Sequence, residues 1–236
     1  MSVFAERLLR RFYADTKHPY RLFEEQVAAV LPRNGVLLDA GCGRTAPVLQ
    51  KFRDRAARLI GVDLVDFVDA PPDAELHKCN LAAIPVADAS VDTIMSRSVF
   101  EHLDDPAAVY REFMRVLKPG GRVVFLTANT WDYATIIARL TPNRWHPAIV
   151  ARVEGRHESD VFPTRYRTNS RSAVRQLAAQ AGFAIEDFRY LGQYPNYLMF
   201  NGALFFLGTC YDKLVCRFEA LRFLRGWIMV TLRKPA

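Results

Sequence analysis

Two acids and two glycines carry the chemistry-bearing pattern of this chain. Val36-Leu37-Leu38 ends in Asp39 and breaks into Gly41-Cys42-Gly43. About twenty residues on, Leu59-Ile60-Gly61-Val62 ends in Asp63. Glycines in such a loop let the backbone turn tightly and come close to a ligand. An acid after the second run accepts the two hydroxyls of a ribose. A dinucleotide fingerprint needs G-x-G-x-x-G, and here Ala46 takes the third place. Asp39 would also repel a pyrophosphate, because like charges in a crevice cost energy. Beside an ammonium or a sulfonium the same carboxylate is favourable. The charge pattern therefore points to a cationic nucleoside ligand and away from a nicotinamide dehydrogenase.

The elements that position these residues alternate. Short continuous apolar runs read as buried parallel strands at 36–40, 59–63, 74–77, 91–96 and 121–128. A helix is expected over 45–55. Another follows Asp105, an N-cap, with Pro106 at the first helical position and Lys118-Pro119-Gly120 as its stop. Ser170 or Asn169 caps a helix to Ala181, closed by Gly182, before a strand at 183–191. Residues 198–224 read as one or two apolar, Arg-dotted helices, and 227–232 as the last strand. Strands alternating with helices imply a doubly wound α/β sheet with helices on both faces. The single domain divides into a helical cap at 1–34, a core at 35–128, an irregular insertion at 129–169 and C-terminal elements at 170–236.

In this order the motifs resemble the class I S-adenosylmethionine-dependent methyltransferases, of the type 11-like kind. Asp39-Ala40-Gly41-Cys42-Gly43 resembles their first motif and Gly61-Val62-Asp63-Leu64 their ribose-binding strand. Cys79-Asn80-Leu81, Val91-Asp92-Thr93-Ile94-Met95-Ser96, Glu101-His102-Leu103 and Arg115-Val116-Leu117-Lys118-Pro119-Gly120-Gly121 follow at family spacing. The resemblance implies a seven-stranded Rossmann-like sheet whose last strand runs antiparallel. It implies S-adenosylmethionine as cofactor and S-adenosylhomocysteine as product. Asp39, Gly41, Cys42 and Gly43 then serve the methionine half, and Asp63 the ribose. Leu64, Asn80 and Leu81 flank adenine, while Ser96 and Arg97 offer carbonyls to the ammonium. Tyr20 either covers the methionine end or packs in the core.

Candidate proton acceptors are His102, after the fourth strand, and His146 and His157 in the insertion; each also reads as an ordinary structural or loop histidine. Metal-assisted ubiquinone-type O-methyltransferases carry Glu-x-x-Glu-His at the place of Ser98 to His102. Here Ser98 replaces the first Glu, so no metal is expected. His157-Glu158-x-Asp160 lacks a third convergent ligand.

The 236 residues suffice for one core with an elaboration, and the net charge is +7. Eight arginines against three acids lie between Arg139 and Arg175, a solvated surface or a face for an anionic partner. No nucleic-acid motif accompanies them. Four scattered cysteines suggest neither zinc nor disulfides, and with no signal-like leader a cytoplasmic protein is expected. Phe200, Leu204, Phe205, Phe206 and Leu207 either bury against the sheet or form a greasy or membrane-facing surface through 198–225. The expected acceptor is small, lipophilic or lipid-linked, with methylation at oxygen.

Overall fold

The computed structural model describes residues 2–140 and 162–236. Seven strands form one sheet in the order β3-β2-β1-β4-β5-β7-β6. They are β1 Gly35–Ala40, β2 Ala56–Asp63, β3 Ala74–Lys78, β4 Val91–Arg97, β5 Leu117–Ala128, β6 Ala184–Leu191 and β7 Trp227–Arg233. Pairings β1–β2, β1–β4, β2–β3 and β4–β5 are parallel. Strand β7 is antiparallel to β5. At one end Gly120 and Lys234 exchange bonds (Gly120 N–H to Lys234 O, 3.1 Å; Lys234 N–H to Gly121 O, 2.9 Å), and at the other Asn129 N–H meets Gly226 O. The central strands are buried on both faces, with Leu37, Leu38, Ile94 and the run Val123 to Leu126 fully enclosed. That is why they read as continuous apolar runs.

Helices α1 Val3–Tyr13, α2 Pro19–Val30, α3 Pro106–Val116, α4 Tyr133–Leu140, α5 Arg171–Ala181 and α6 Gly202–Arg217 complete the described fold. The caps are where the residue types place them. Asp105 Oδ1 accepts from Ala108 N–H at 3.0 Å, Ser170 Oγ accepts from Ala173 N–H at 3.2 Å, and Gly182 ends α5 at φ +85°.

Two expectations are corrected. The helix expected over 45–55 is absent, and one 3-10 turn, Leu49–Phe52, stands in its place. Ala46 adopts φ +42°, which an α-helix excludes, and Pro47 behind it has no N–H to give. The helical N-terminal segment is broken between Tyr13 and Pro19, because proline disfavours helical geometry in the residue before it.

The described residues fall into two compact units. One holds 2–22, 128–140, 162 and 190–228; the other holds 23–127, 163–189 and 229–236. The second contains most of the sheet and a large core, in which Phe100 stacks on Phe125 at 4.1 Å between ring centroids. The first has a smaller core around Ala5, Leu8, Tyr13 and Phe205.

Candidate cofactor site

The loop after β1 is shaped by two glycines at positive φ. Gly41 sits at +85°, and a Cβ there would lie 2.2 Å from Val99 Cγ2. No L side chain fits that position. Gly41 N–H donates to Val62 O at 2.8 Å, which ties the loop to the end of β2. Gly43 sits at +73°, and nothing lies within 4 Å of where its Cβ would be. Its N–H instead donates to Asp63 Oδ2 at 2.7 Å. Asp63 Oδ1 accepts from Leu64 N–H at 2.7 Å and Val65 N–H at 3.3 Å. The second acid is thus held in place by backbone donors, with lone pairs remaining for hydroxyls.

Asp39 is buried, 3% exposed, at the floor of this loop. Among the described residues its Oδ2 has no hydrogen-bond partner. Burial pushes its carboxyl up to about 7; the Arg97 guanidinium pulls the other way and Asp63 adds to the rise. A buried carboxylate with an empty acceptor is costly unless a donor or cation arrives. Arg97 is itself drawn towards Glu24 at 3.4 Å, and Glu24 is held by Lys51 at 2.6 Å. Ser96 Oγ donates to Ala40 O at 2.7 Å, stitching β4 to β1 beneath the loop.

On the side of β3, Cys79 N–H donates to Asp63 O at 2.9 Å and Asn80 Oδ1 accepts from Ala82 N–H at 2.9 Å. The loop that follows is fastened by Arg115 from α3. Its guanidinium donates to Ile84 O at 2.8 Å, to Val86 O at 2.9 Å and to the carboxylates of Glu112 and Asp88. Leu81 is buried and Leu64 is 52% exposed.

Residues 38–125 match the family model of a methyltransferase domain. A Mycolicibacterium smegmatis protein named "Probable S-adenosylmethionine-dependent methyltransferase" is 33% identical over 156 residues, 64% of this chain and 52% of its own length. Over residues 38–125 the chain carries a methyltransferase domain, similar to those of S-adenosylmethionine-dependent methyltransferases. Malonyl-[acyl-carrier protein] O-methyltransferase of Hahella chejuensis is 35% identical over 40% of this chain and 37% of its own length. The chain spans about half, or less, of the length of the curated relatives it matches. Among solved structures, the Streptomyces coelicolor geranyl diphosphate C-methyltransferase superposes with TM-score 0.56 at 18% identity, covering 95% of this chain and 88% of that one. The methyltransferase bound to the Haloferax volcanii Trm112 activator does so with TM-score 0.61 at 17% identity, covering 98% and 94%. At these identities the superpositions establish the shared fold.

The methyltransferase domain has a cradle that fits its cofactor on this chain's own evidence. Asp39 presents an unfilled buried acceptor, Asp63 is preset, and the space over Gly43 is clear. Asp39, Gly41, Cys42, Gly43, Asp63, Leu64, Asn80, Leu81, Ser96 and Arg97 all belong to one unit and are carried by the ends of β1, β2, β3 and β4. Cys42 is buried, and burial raises its thiol, so it acts here as a small apolar filler against Gly61. Tyr20 belongs to the other unit, where its ring meets His18 at 4.7 Å and Trp227 at 5.6 Å between centroids.

His102 stands after β4 in the 3-10 turn Phe100–His102, its Nδ1 3.2 Å from Pro163 O. A carbonyl accepts only, so Nδ1 carries the proton and Nε2 is the basic nitrogen. His146 and His157 lie outside the described residues. Glu101 is buried, and its Oε2 accepts from Thr127 Oγ1 at 2.7 Å, which in turn accepts from Asn169 Nδ2 at 2.7 Å. Its main-chain carbonyl takes Arg165 N–H at 2.6 Å. Among the described residues no three His, Cys, Asp or Glu side chains converge as a metal site. Arg165 Nε donates to the Asp104 carboxylate at 2.7 Å, and Arg167 to the Asp104 main-chain carbonyl.

Sequence reasoning did not find Val99 as the wall that requires Gly41, the Glu24–Lys51 pair beside Arg97, or the Thr127–Asn169 support of Glu101. None has a local signature, since each partner is brought in by the tertiary fold.

Proposed function

We propose that the protein transfers a methyl group from S-adenosylmethionine to an oxygen of a small, lipophilic or lipid-linked acceptor. The observation that carries the cofactor reading is Asp39, buried with an unfilled oxygen where a cationic methionine group would supply the missing donor. When bound, S-adenosylmethionine supplies an electrophilic methyl on a positively charged sulfur. The protein's own part is to hold the nucleoside through Asp63, the Asn80 turn and Leu81, and the amino acid through the β1 loop and the Ser96 and Arg97 carbonyls. His102, oriented by Pro163 O, accepts the proton of an attacking hydroxyl through Nε2. An O-methyltransferase among the relatives supports oxygen as the atom.

A carbon acceptor is the second reading, favoured by the fold shared with geranyl diphosphate C-methyltransferase. The apolar, Arg-flanked region 198–225 supports a lipophilic acceptor in either case and a peripheral membrane contact with it. No described helix is long and apolar enough to cross a membrane.

The cofactor reading is tested by calorimetric titration with S-adenosylmethionine and S-adenosylhomocysteine. Binding in the micromolar range, lost by about tenfold or more in Asp63→Ala with the fold intact, is expected. No binding of either compound sinks the proposal. Lipid and metabolite extracts incubated with labelled cofactor then identify the acceptor. His102→Ala should lower turnover about a hundredfold with cofactor affinity unchanged for an oxygen acceptor. Unchanged turnover would favour carbon.

A further inference from the structure

Helix α6 buries its one aspartate and leaves leucines exposed. Its buried face is Phe205, Gly208, Thr209, Asp212 and Val215. Its solvent face carries Leu207 and Leu214, exposed by 63 and 51%, and Phe218, 51% exposed, follows the last turn. Positions 207 and 214 are seven residues apart, which puts them on one stripe of the helix, and Phe218 extends the apolar surface beyond its end. An ordinary surface helix puts such residues inside and the aspartate outside. Rolling α6 over would not be free, because Asp212 is locked inward. Its Oδ2 accepts from the buried hydroxyl of Tyr13 on α1 at 3.0 Å. The apolar stripe is therefore held outward by a buried polar bond.

We propose that this stripe, with the neighbouring end of α1, docks on the headgroup layer of an anionic lipid bilayer, an inference that rests on the lipophilic-acceptor reading above. Among the described residues, large exposed apolar side chains concentrate in the unit that holds α1 and α6; in the other unit they are Leu64 and Val68. Phe4 packs beside Gly202 at the start of α6 and is itself 53% exposed. The described residues of the same unit contain ten Arg and Lys against five acids, of which Asp132 and Asp212 are buried. The cations lie next to the apolar positions. Arg217 reaches over the ring of Phe218 and Arg11 over that of Phe12, each at 5.9 Å.

That pairing of apolar stripe and cationic rim matches a helix lying in an anionic interface. Sixteen residues of helix span about 24 Å, so α6 lies on such a layer and does not cross it. A second copy of the chain fits the face poorly, since a two-fold contact would oppose the same cations to themselves.

The test is co-sedimentation of the full chain with vesicles of phosphatidylcholine, with and without phosphatidylglycerol. The expected result is preferential binding to the anionic vesicles, weakened by raised salt. Leu207→Glu/Leu214→Glu should cut the partition coefficient about a hundredfold. Both positions are exposed, and circular dichroism and cofactor titration report whether the variant remains folded. Three results overturn the proposal: no preference for anionic vesicles, equal binding by the folded double variant, or a dimer in light scattering that Leu207→Glu splits. Cofactor binding without docking removes this inference alone, and docking without cofactor binding removes the methyltransferase reading alone.

Discussion

Replacing Asp39 by asparagine should make the protein more stable and less able to bind its cofactor, and the stability gain should depend on pH. Burial raises the Asp39 carboxyl from 3.8 to about 7 in the folded chain. Between those values the folded state holds a proton that the unfolded state has released. Stability must then fall as pH rises through that window and level off above it, the reverse of a salt-bridged aspartate. A rise of about three units corresponds to a ceiling of about 4 kcal/mol at pH 8, at about 1.4 kcal/mol per unit. Asparagine has a similar shape and does not ionise, so it escapes this loss. The variant should match the wild type near pH 4 and melt several degrees higher at pH 8, at about 2–4 °C per kcal/mol for a chain of this size. Other titrating groups are common to both proteins and cancel in the difference. Denaturation curves from pH 4 to 8 check this, and an unchanged difference across that range refutes the buried, partnerless carboxylate. Cofactor affinity should drop about ten- to hundredfold in the variant, the worth of one charge-assisted hydrogen bond.

Gly41→Ala should destabilise the fold by about 2 kcal/mol or more, because its Cβ would meet Val99 Cγ2 at 2.2 Å at a positive φ. Adding Val99→Ala should restore part of the loss in urea titrations and leave the backbone strain. Tyr13→Phe should cost about 1–3 kcal/mol by removing one of the donors to the buried Asp212. Burial already raises the Asp212 carboxyl. Unfolding curves should therefore show the Tyr13→Phe penalty growing with pH as that acid ionises without the tyrosine hydroxyl.

Much of the cofactor half was legible because its causes are local. Buried parallel strands write themselves as apolar runs, and β1, β2 and β4 do so plainly. Asp105, Pro106, Ser170 and Gly182 mark helix ends by backbone chemistry that acts over a few residues. Asp39 and Asp63 were identifiable from their place after two such runs. The missing helix after the first motif was legible only in part: Pro47 stands in the sequence, but the positive φ of Ala46 before it has no local signature. The orientation of α6 was hidden for a different reason. Phe, Leu and Val occur all round residues 202–217, so no period selects a face, and the choice is made by Tyr13, 199 residues away. The support of Glu101 is equally distant, from Thr127 and Asn169.

Arg115 has a reach that its position on α3 does not advertise. One planar cation gathers two carbonyls and two carboxylates, so the segment from Ile84 to Asp88 is taut before any nucleoside arrives. Ligand association then need not freeze that stretch, a saving of about 0.5–1.5 kcal/mol for each side chain already ordered. On the adenine placement proposed above, discrimination among purine rings resides in a rigid outline, and an engineer wishing to admit an altered base would recut residues 79–81 and leave the strut alone.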